Sequence, residues 1–219
     1  MVPVMKTVFL LSLAAACGGE PGGAPVARAW QVMGTTMTAA AWGIDTTQVG
    51  QALDAVRDAG DRPARASFAS LRREIRLRTG VAVAAGDITD GDALDRAALM
   101  LAGVVDSALL DLGGQFFWVG RTGTARRVGI ADPRHSLVAL AAVEMRGGSV
   151  RTAIQGTVSV TVLAPSGVAA AAWSSALVTL GCDRALDGGG AAQVSVVCAD
   201  SSGVRWTPDL EGRVLVPTH

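Results

Sequence analysis

Residues 108–134 constrain this chain more than any other stretch. Ala108-Leu109-Leu110-Asp111-Leu112 runs apolar into the pair Gly113-Gly114, and Gln115-Phe116-Phe117-Trp118-Val119-Gly120 leaves it. After a short turn, Arg126-Arg127-Val128-Gly129-Ile130-Ala131 ends at Asp132-Pro133. Paired glycines after a buried strand let the backbone come close to a ligand or to a neighbouring strand. Asp-Pro is an ordinary strand terminator, because proline has no N–H for the ladder; a loop that orients a ligand is the alternative. A chain built around this segment must carry a sheet.

The remaining periodicities place further elements. Trp30–Trp42 reads as one strand. Gln48–Ala59 sets Val49, Leu53 and Val56 on one helical face. Gly60–Ala69 is polar and turn-like, and Glu74–Val83 alternates Ile75, Leu77 and Thr79 into an apolar strand. Asp92–Ala102 reads as a helix on Leu94, Ala98 and Leu101, closed by Gly103. Strands follow at 107–112, 115–119, 126–131, 139–145 and 158–164. Ala169–Leu180 is a helix with Ala170, Trp173, Leu177 and Leu180 inward, before strands at 194–199 and 204–206.

The 219 residues carry no net charge, so nothing points to nucleic acid. Residues 1–17 read as an export signal: Lys6 is followed by apolar Val8–Ala16, too short to span a bilayer. Cys17, after three alanines, resembles a bacterial lipoprotein box, with a plain cleaved signal peptide as the alternative. Residues 18–28 are a Gly/Pro-rich linker and residues 29–219 the folded domain. The expectation is an exported protein, periplasmic or anchored to the cell membrane through lipidated Cys17. In such an oxidising compartment Cys182 and Cys198 are a candidate disulfide pair; two unpaired small apolar residues are the alternative. His135 and His219 are the only histidines and neither has a second ligand nearby, which argues against a zinc site. Ser174-Ser175 lacks a nucleophile-elbow context.

Five segments, in order, bring one family into view. Trp30–Thr36 (WQVMGTT) is similar to an "MGT" strand, Gly80–Ala98 to "DLGGIAKGYAVDRAA", and Leu109–Gly120 to "LVNLGGDIRALG". Val128–Arg134 is similar to "VGIRDPR", and Ser159–Gly181 to "SVTVIAPDAALADALATALFVLG". The chain thus resembles the ApbE family, the FAD:protein FMN transferases, over most of its length from residue 30. Together with the element pattern, the resemblance implies a trimmed α+β domain, a mixed sheet with helices packed on one side. It implies shortening as well: only residues 43–78 fill a span that holds a helical insert in the family, and Ile154-Gln155-Gly156 replaces a longer loop.

The implied reaction moves FMN from FAD onto a Thr of an acceptor flavoprotein, with Mg²⁺ offsetting charge on phosphate oxygens. Carried over, Met33, Gly34, Thr35 and Asp90 would contact the dinucleotide, and Thr89 (through its carbonyl) and Ser175 would hold the metal. Ala171 stands where the family has the metal Asp, and Asp90 and Asp92 stand where it has Lys and Tyr. Asp87, Asp90 and Asp92 read either as a relocated metal carboxylate or as a solvated acidic helix start, with Asp92 as N-cap and Asp95 suiting the dipole. The resemblance marks no catalytic side chain. It leaves two readings, an active transferase or a catalytically impaired flavin-binding or scaffold lipoprotein of the cell envelope. The signal segment predicts a mature chain that begins at acylated Cys17. Mass spectrometry of the N-terminal peptide checks this, and an unmodified Cys17 within an uncleaved chain contradicts it.

Overall fold

The structure is a computed structural model that describes residues 24–60, 68–120, 125–135 and 138–217. The signal segment, Cys17, most of the linker and His219 lie outside the described residues. The chain opens with β1 (Val26–Val32) and β2 (Thr35–Trp42), followed by helices α1 (Thr46–Gly60), α2 (Ala69–Thr79) and α3 (Gly86–Leu101). Strands β3 (Ser107–Leu112), β4 (Gln115–Gly120), β5 (Arg126–Ala131), β6 (Ala139–Met145), β7 (Gly148–Gln155) and β8 (Val158–Ala164) come next. Helices α4 (Gly167–Leu177) and α5 (Cys182–Ala192) precede β9 (Ser195–Asp200), β10 (Gly203–Trp206) and β11 (Val214–Leu215).

Eight strands form one sheet in the order β1-β2-β3-β4-β7-β8-β9-β10, and β11-β6-β5 form a second. The α+β class holds, and the expected mixed sheet resolves into two sheets whose pairings are antiparallel throughout. Alternation along each strand splits the large sheet's side chains between two cores. Met37, Ala39, Ala41, Leu110 and Leu112 pack with Val49, Leu53 and Leu94 of α1 and α3. Farther along the same face, Val160, Val162, Val196 and Cys198 meet Trp173 and Leu177 of α4. On the opposite face Trp42, Trp118, Val150 and Val197 pack against Val128, Ile130 and Val143 of the small sheet. The helices therefore cover one side, as expected, and the small sheet covers the other.

Several elements differ from the sequence expectation. Trp30–Trp42 is a hairpin, turning at Met33 and Gly34 with φ of 49° and 78°. Two successive residues with positive φ match the twist of a two-residue hairpin turn. Glu74–Val83 is not a strand: α2 ends at Thr79, with Ile75 and Thr79 buried one helical turn apart and Leu77 exposed. Helix α3 begins at Gly86 rather than Asp92, so Asp92 lies inside the helix and cannot be its N-cap. β7 was not legible, because Val150 is the one large apolar side chain in its first half. Gly188-Gly189-Gly190, which by composition alone would read as a turn, lies within α5. A Cβ on Gly189 would overlap the Val196 side chain, so the glycine lets α5 lie flat on β9 despite its poor helix propensity.

The tightest approach is between backbones. A Cβ on Gly91 of α3 would overlap the Gly167 carbonyl at the start of α4, and a Cβ on Gly167 would overlap the Gly91 carbonyl. Gly91→Ala should destabilise by about 1–3 kcal/mol through forced backbone displacement. Gly190→Ala, in open space on α5, should be neutral or stabilising by up to about 1 kcal/mol. Urea denaturation of both variants checks the contrast.

Cys182 and Cys198 form a disulfide with a sequence separation of 16 that ties the start of α5 to β9. Cys182 is the first residue of α5. Closing this loop contributes roughly 3 kcal/mol in the chain-entropy model. The expected result is that free-thiol labelling of native protein finds neither Cys182 nor Cys198, and that reduction lowers the urea midpoint.

Candidate functional site

Motifs that are distant in sequence meet at one end of the large sheet. Thr35 opens β2, the Gly113-Gly114 turn joins β3 to β4, and Asp90 lies in the second turn of α3. A Cβ on Gly113 would lie 3.3 Å from Thr35 Cγ2 and 3.8 Å from Asp90 Oδ2. Gly113 and Gly114 have φ of 61° and 83°, which glycine adopts without strain. Asp111 Oδ1 accepts a 2.9 Å bond from Gly114 N, and burial raises the pKa of this carboxyl.

Two side chains that sequence reasoning did not assign to the site complete this end. Arg151 of β7 faces Gln115 of β4 in the strand register. Its Nη1 lies 3.7 Å from Asp90 Oδ2 and donates to Gln115 Oε1 at 3.3 Å. Gln115 is fully buried. Its Nε2 donates to Ser149 Oγ at 3.0 Å and to the Gly167 carbonyl at 2.8 Å. The Ser149 hydroxyl donates to the Phe116 carbonyl at 2.8 Å, so it must accept from Gln115, and the amide orientation is determined. The available signal was a glutamine directly after a Gly-Gly turn; Arg151 lies in β7, which the sequence pattern did not reveal.

The start of α4 is held from α3. Asp95 accepts from Gly167 N at 2.5 Å and Val168 N at 3.1 Å, and Ser166 Oγ accepts from Ala169 N at 3.1 Å. These bonds satisfy three amides that a helix N-terminus leaves open. Asp95 was expected to favour the dipole of its own helix; it instead caps α4.

The acidic trio does not converge. Asp87 Oδ2 accepts from Ala84 N at 3.2 Å, Asp90 faces Arg151, and Asp92 pairs with Arg96 at 3.2 Å. Residues two apart on a helix point in nearly opposite directions, which separates Asp90 from Asp92. Among the described residues no group of three His, Cys, Asp or Glu side chains could hold a metal ion. Thr89 sits in the first turns of α3, where its hydroxyl donates to the Gly86 carbonyl at 2.9 Å. Ser175 is half-buried on α4, and Ala171, one turn earlier, is fully buried and offers a methyl group. A hydroxyl and a carbonyl without a carboxylate do not make a Mg²⁺ site, since this ion sheds water reluctantly.

Asp132 closes its strand with an Asx turn, its Oδ1 accepting from Arg134 N at 2.8 Å, which fits the terminator reading. A cavity of about 280 Å³ lies at the opposite end of β3 and β4, lined by Val104, Asp106, Val119 and Gly120. It contains none of the site residues.

The fold is thus a large antiparallel sheet held between helices and a smaller sheet, with Thr35, Asp90 and Gly113 meeting at one end. The chain belongs to the ApbE family, which it matches over residues 21–153. Solved structures share its fold. The ApbE protein of Thermotoga maritima is 16% identical, with a TM-score of 0.61 over 86% of this chain and 99% of that one. The flavin transferase ApbE of Vibrio cholerae is 13% identical, with a TM-score of 0.62 over 86% and 99%. The apo flavinyl transferase ApbE of Pseudomonas stutzeri is 14% identical, with a TM-score of 0.58 over 86% and 96%. No curated protein matches the chain. The family match ends before α4, so Ala171 and Ser175 lie beyond it.

The α4 cap generates a prediction. Asp95→Ala should cost about 1–2 kcal/mol by orphaning two amides. Burial, offset in part by the Gly167 and Val168 amides, holds the Asp95 pKa above its ordinary value. With a raised folded-state pKa, this carboxyl's titration favours folding most below the unfolded pKa, and the contribution is lost as pH rises through the folded pKa. Urea midpoints of wild type and Asp95→Asn across that acidic window should diverge with this sign.

Proposed function

We propose that the chain is a FAD:protein FMN transferase of reduced activity, with FAD at the Thr35–Gly113–Asp90 end of the large sheet. The observation that carries the reading is the convergence at Gly113 of Thr35 and Asp90, which come from segments far apart in sequence. In the reaction the acceptor Thr hydroxyl bonds to the flavin-side phosphorus and the pyrophosphate linkage breaks. AMP leaves, and the hydroxyl proton passes to solvent. The chain's part is to orient the dinucleotide so that attack and departure lie in line. The Gly113-Gly114 turn keeps the site floor at backbone height.

Reduced activity rests on Ala171. A Mg²⁺ ion offsets phosphate charge in such transfers, and this chain lacks the carboxylate to hold it. The shortened spans at 43–78 and 154–156 also leave fewer walls around the dinucleotide. The same feature favours a second reading, a flavin-binding envelope lipoprotein that no longer transfers FMN. The acceptor would be a flavoprotein subunit met outside the cytoplasm, and the Cys182–Cys198 disulfide supports an oxidising compartment.

An assay with FAD, Mg²⁺ and a Thr-bearing acceptor separates the readings. Slow FMN transfer supports the transferase, FAD binding without transfer supports the second reading, and neither would contradict both. Ala171 is fully buried, so Ala171→Asp should lower thermal stability by burying an unpaired carboxylate, about 2 kcal/mol or more. Mg²⁺ at millimolar concentration should return part of that loss and leave the wild type unmoved.

A further inference from the structure

We propose that Arg151 is the receptor for the phosphate groups of the dinucleotide, oriented by Gln115, with Asp90 as the anion the phosphate displaces. The proposal rests on the flavin reading above. Arg151 is a cation at the site end, on the strand next to the Gly113-Gly114 turn, and a quarter of its side chain is exposed. A guanidinium carries five N–H donors. Here Nη1 makes one hydrogen bond, to Gln115 Oε1, while Asp90 Oδ2 at 3.7 Å is an ion pair beyond hydrogen-bond reach. Nε is shielded from solvent with no acceptor.

The group is therefore preorganised and underused. Gln115 cannot flip, because both its remaining partners demand donors: the Gly167 carbonyl and a Ser149 hydroxyl already committed to Phe116. Its Oε1 is thereby aimed at Arg151 and holds the guanidinium plane. A planar fork with spare donors suits two oxygens of a phosphate, bound bidentately. Asp90 balances the charge in the free protein without satisfying the donors, so an incoming phosphate gains bonds that Asp90 does not make.

The test titrates FAD, FMN, riboflavin and inorganic pyrophosphate into the whole protein by calorimetry and flavin fluorescence. The proteins are wild type, Arg151→Ala, Arg151→Lys and Asp90→Asn, each checked for fold by circular dichroism. Arg151→Ala should weaken FAD and FMN by about tenfold or more and leave riboflavin, which has no phosphate, within about twofold. Arg151→Lys should retain part of the affinity as a point charge, and it carries the test if the Ala variant fails to fold. Asp90→Asn should tighten FAD. Equal weakening of FAD and riboflavin, or no weakening, overturns the proposal; weaker FAD binding by Asp90→Asn overturns the competing role of Asp90. If wild type binds no flavin, the flavin reading falls. Pyrophosphate then decides Arg151 alone: binding lost in Arg151→Ala sustains the receptor, and equal or absent binding overturns it.

Discussion

The site depends on how closely α3 and α4 approach. Gly91 and Gly167 meet backbone to backbone, with no room for a methyl group on either. That contact brings the Gly167 carbonyl to Gln115 Nε2 and the Gly167 amide to Asp95. One residue, Gly167, thus anchors the helix cap through its amide and, through its carbonyl, the glutamine that aims Arg151. Interiors pack like crystals and pass displacement on to their neighbours, so a shift at this crossing is felt at the Gln115 amide that holds the guanidinium.

The scaffold around the crossing divides its work between two faces. Toward the helices the large sheet presents small and branched side chains, Ala39, Ala41, Val160 and Val162, over which α1, α3 and α4 lie close. Toward the small sheet it presents Trp42 and Trp118, edge to face at 6.1 Å, with the Arg126 guanidinium 4.7 and 4.8 Å from the two rings. A cation over buried indoles fastens β5 to the large sheet. The chain leaves the large sheet after β4, builds β5 and β6, and returns as β7. That excursion sets Arg151 beside Gln115.

The acidic start of α3 is spent on local partners: Asp87 on the Ala84 amide, Asp92 on Arg96, Asp90 on Arg151. Among the described residues no three His, Cys, Asp or Glu side chains gather as a metal site, while the Arg151 guanidinium stands at the same end as Asp90.

By itself the sequence determined the class, most strands and the burial of α1 and α4. These are written in local pattern: period-2 alternation, one apolar helical face, glycines where φ must be positive. The Cys182–Cys198 pair was legible too, because only these two cysteines lie in the domain. Tertiary structure decided the rest. Ile75, Leu77 and Thr79 fit a strand as well as a helix until the burial of Ile75 and Thr79 against neighbouring elements chose the helix. Gly188–Gly190 reads as a turn until the Val196 side chain demands glycine inside α5. Asp95 and Gln115 are ordinary polar residues in sequence. They matter because a helix start and a strand, distant along the chain, arrive within hydrogen-bond reach, and no local period encodes that meeting.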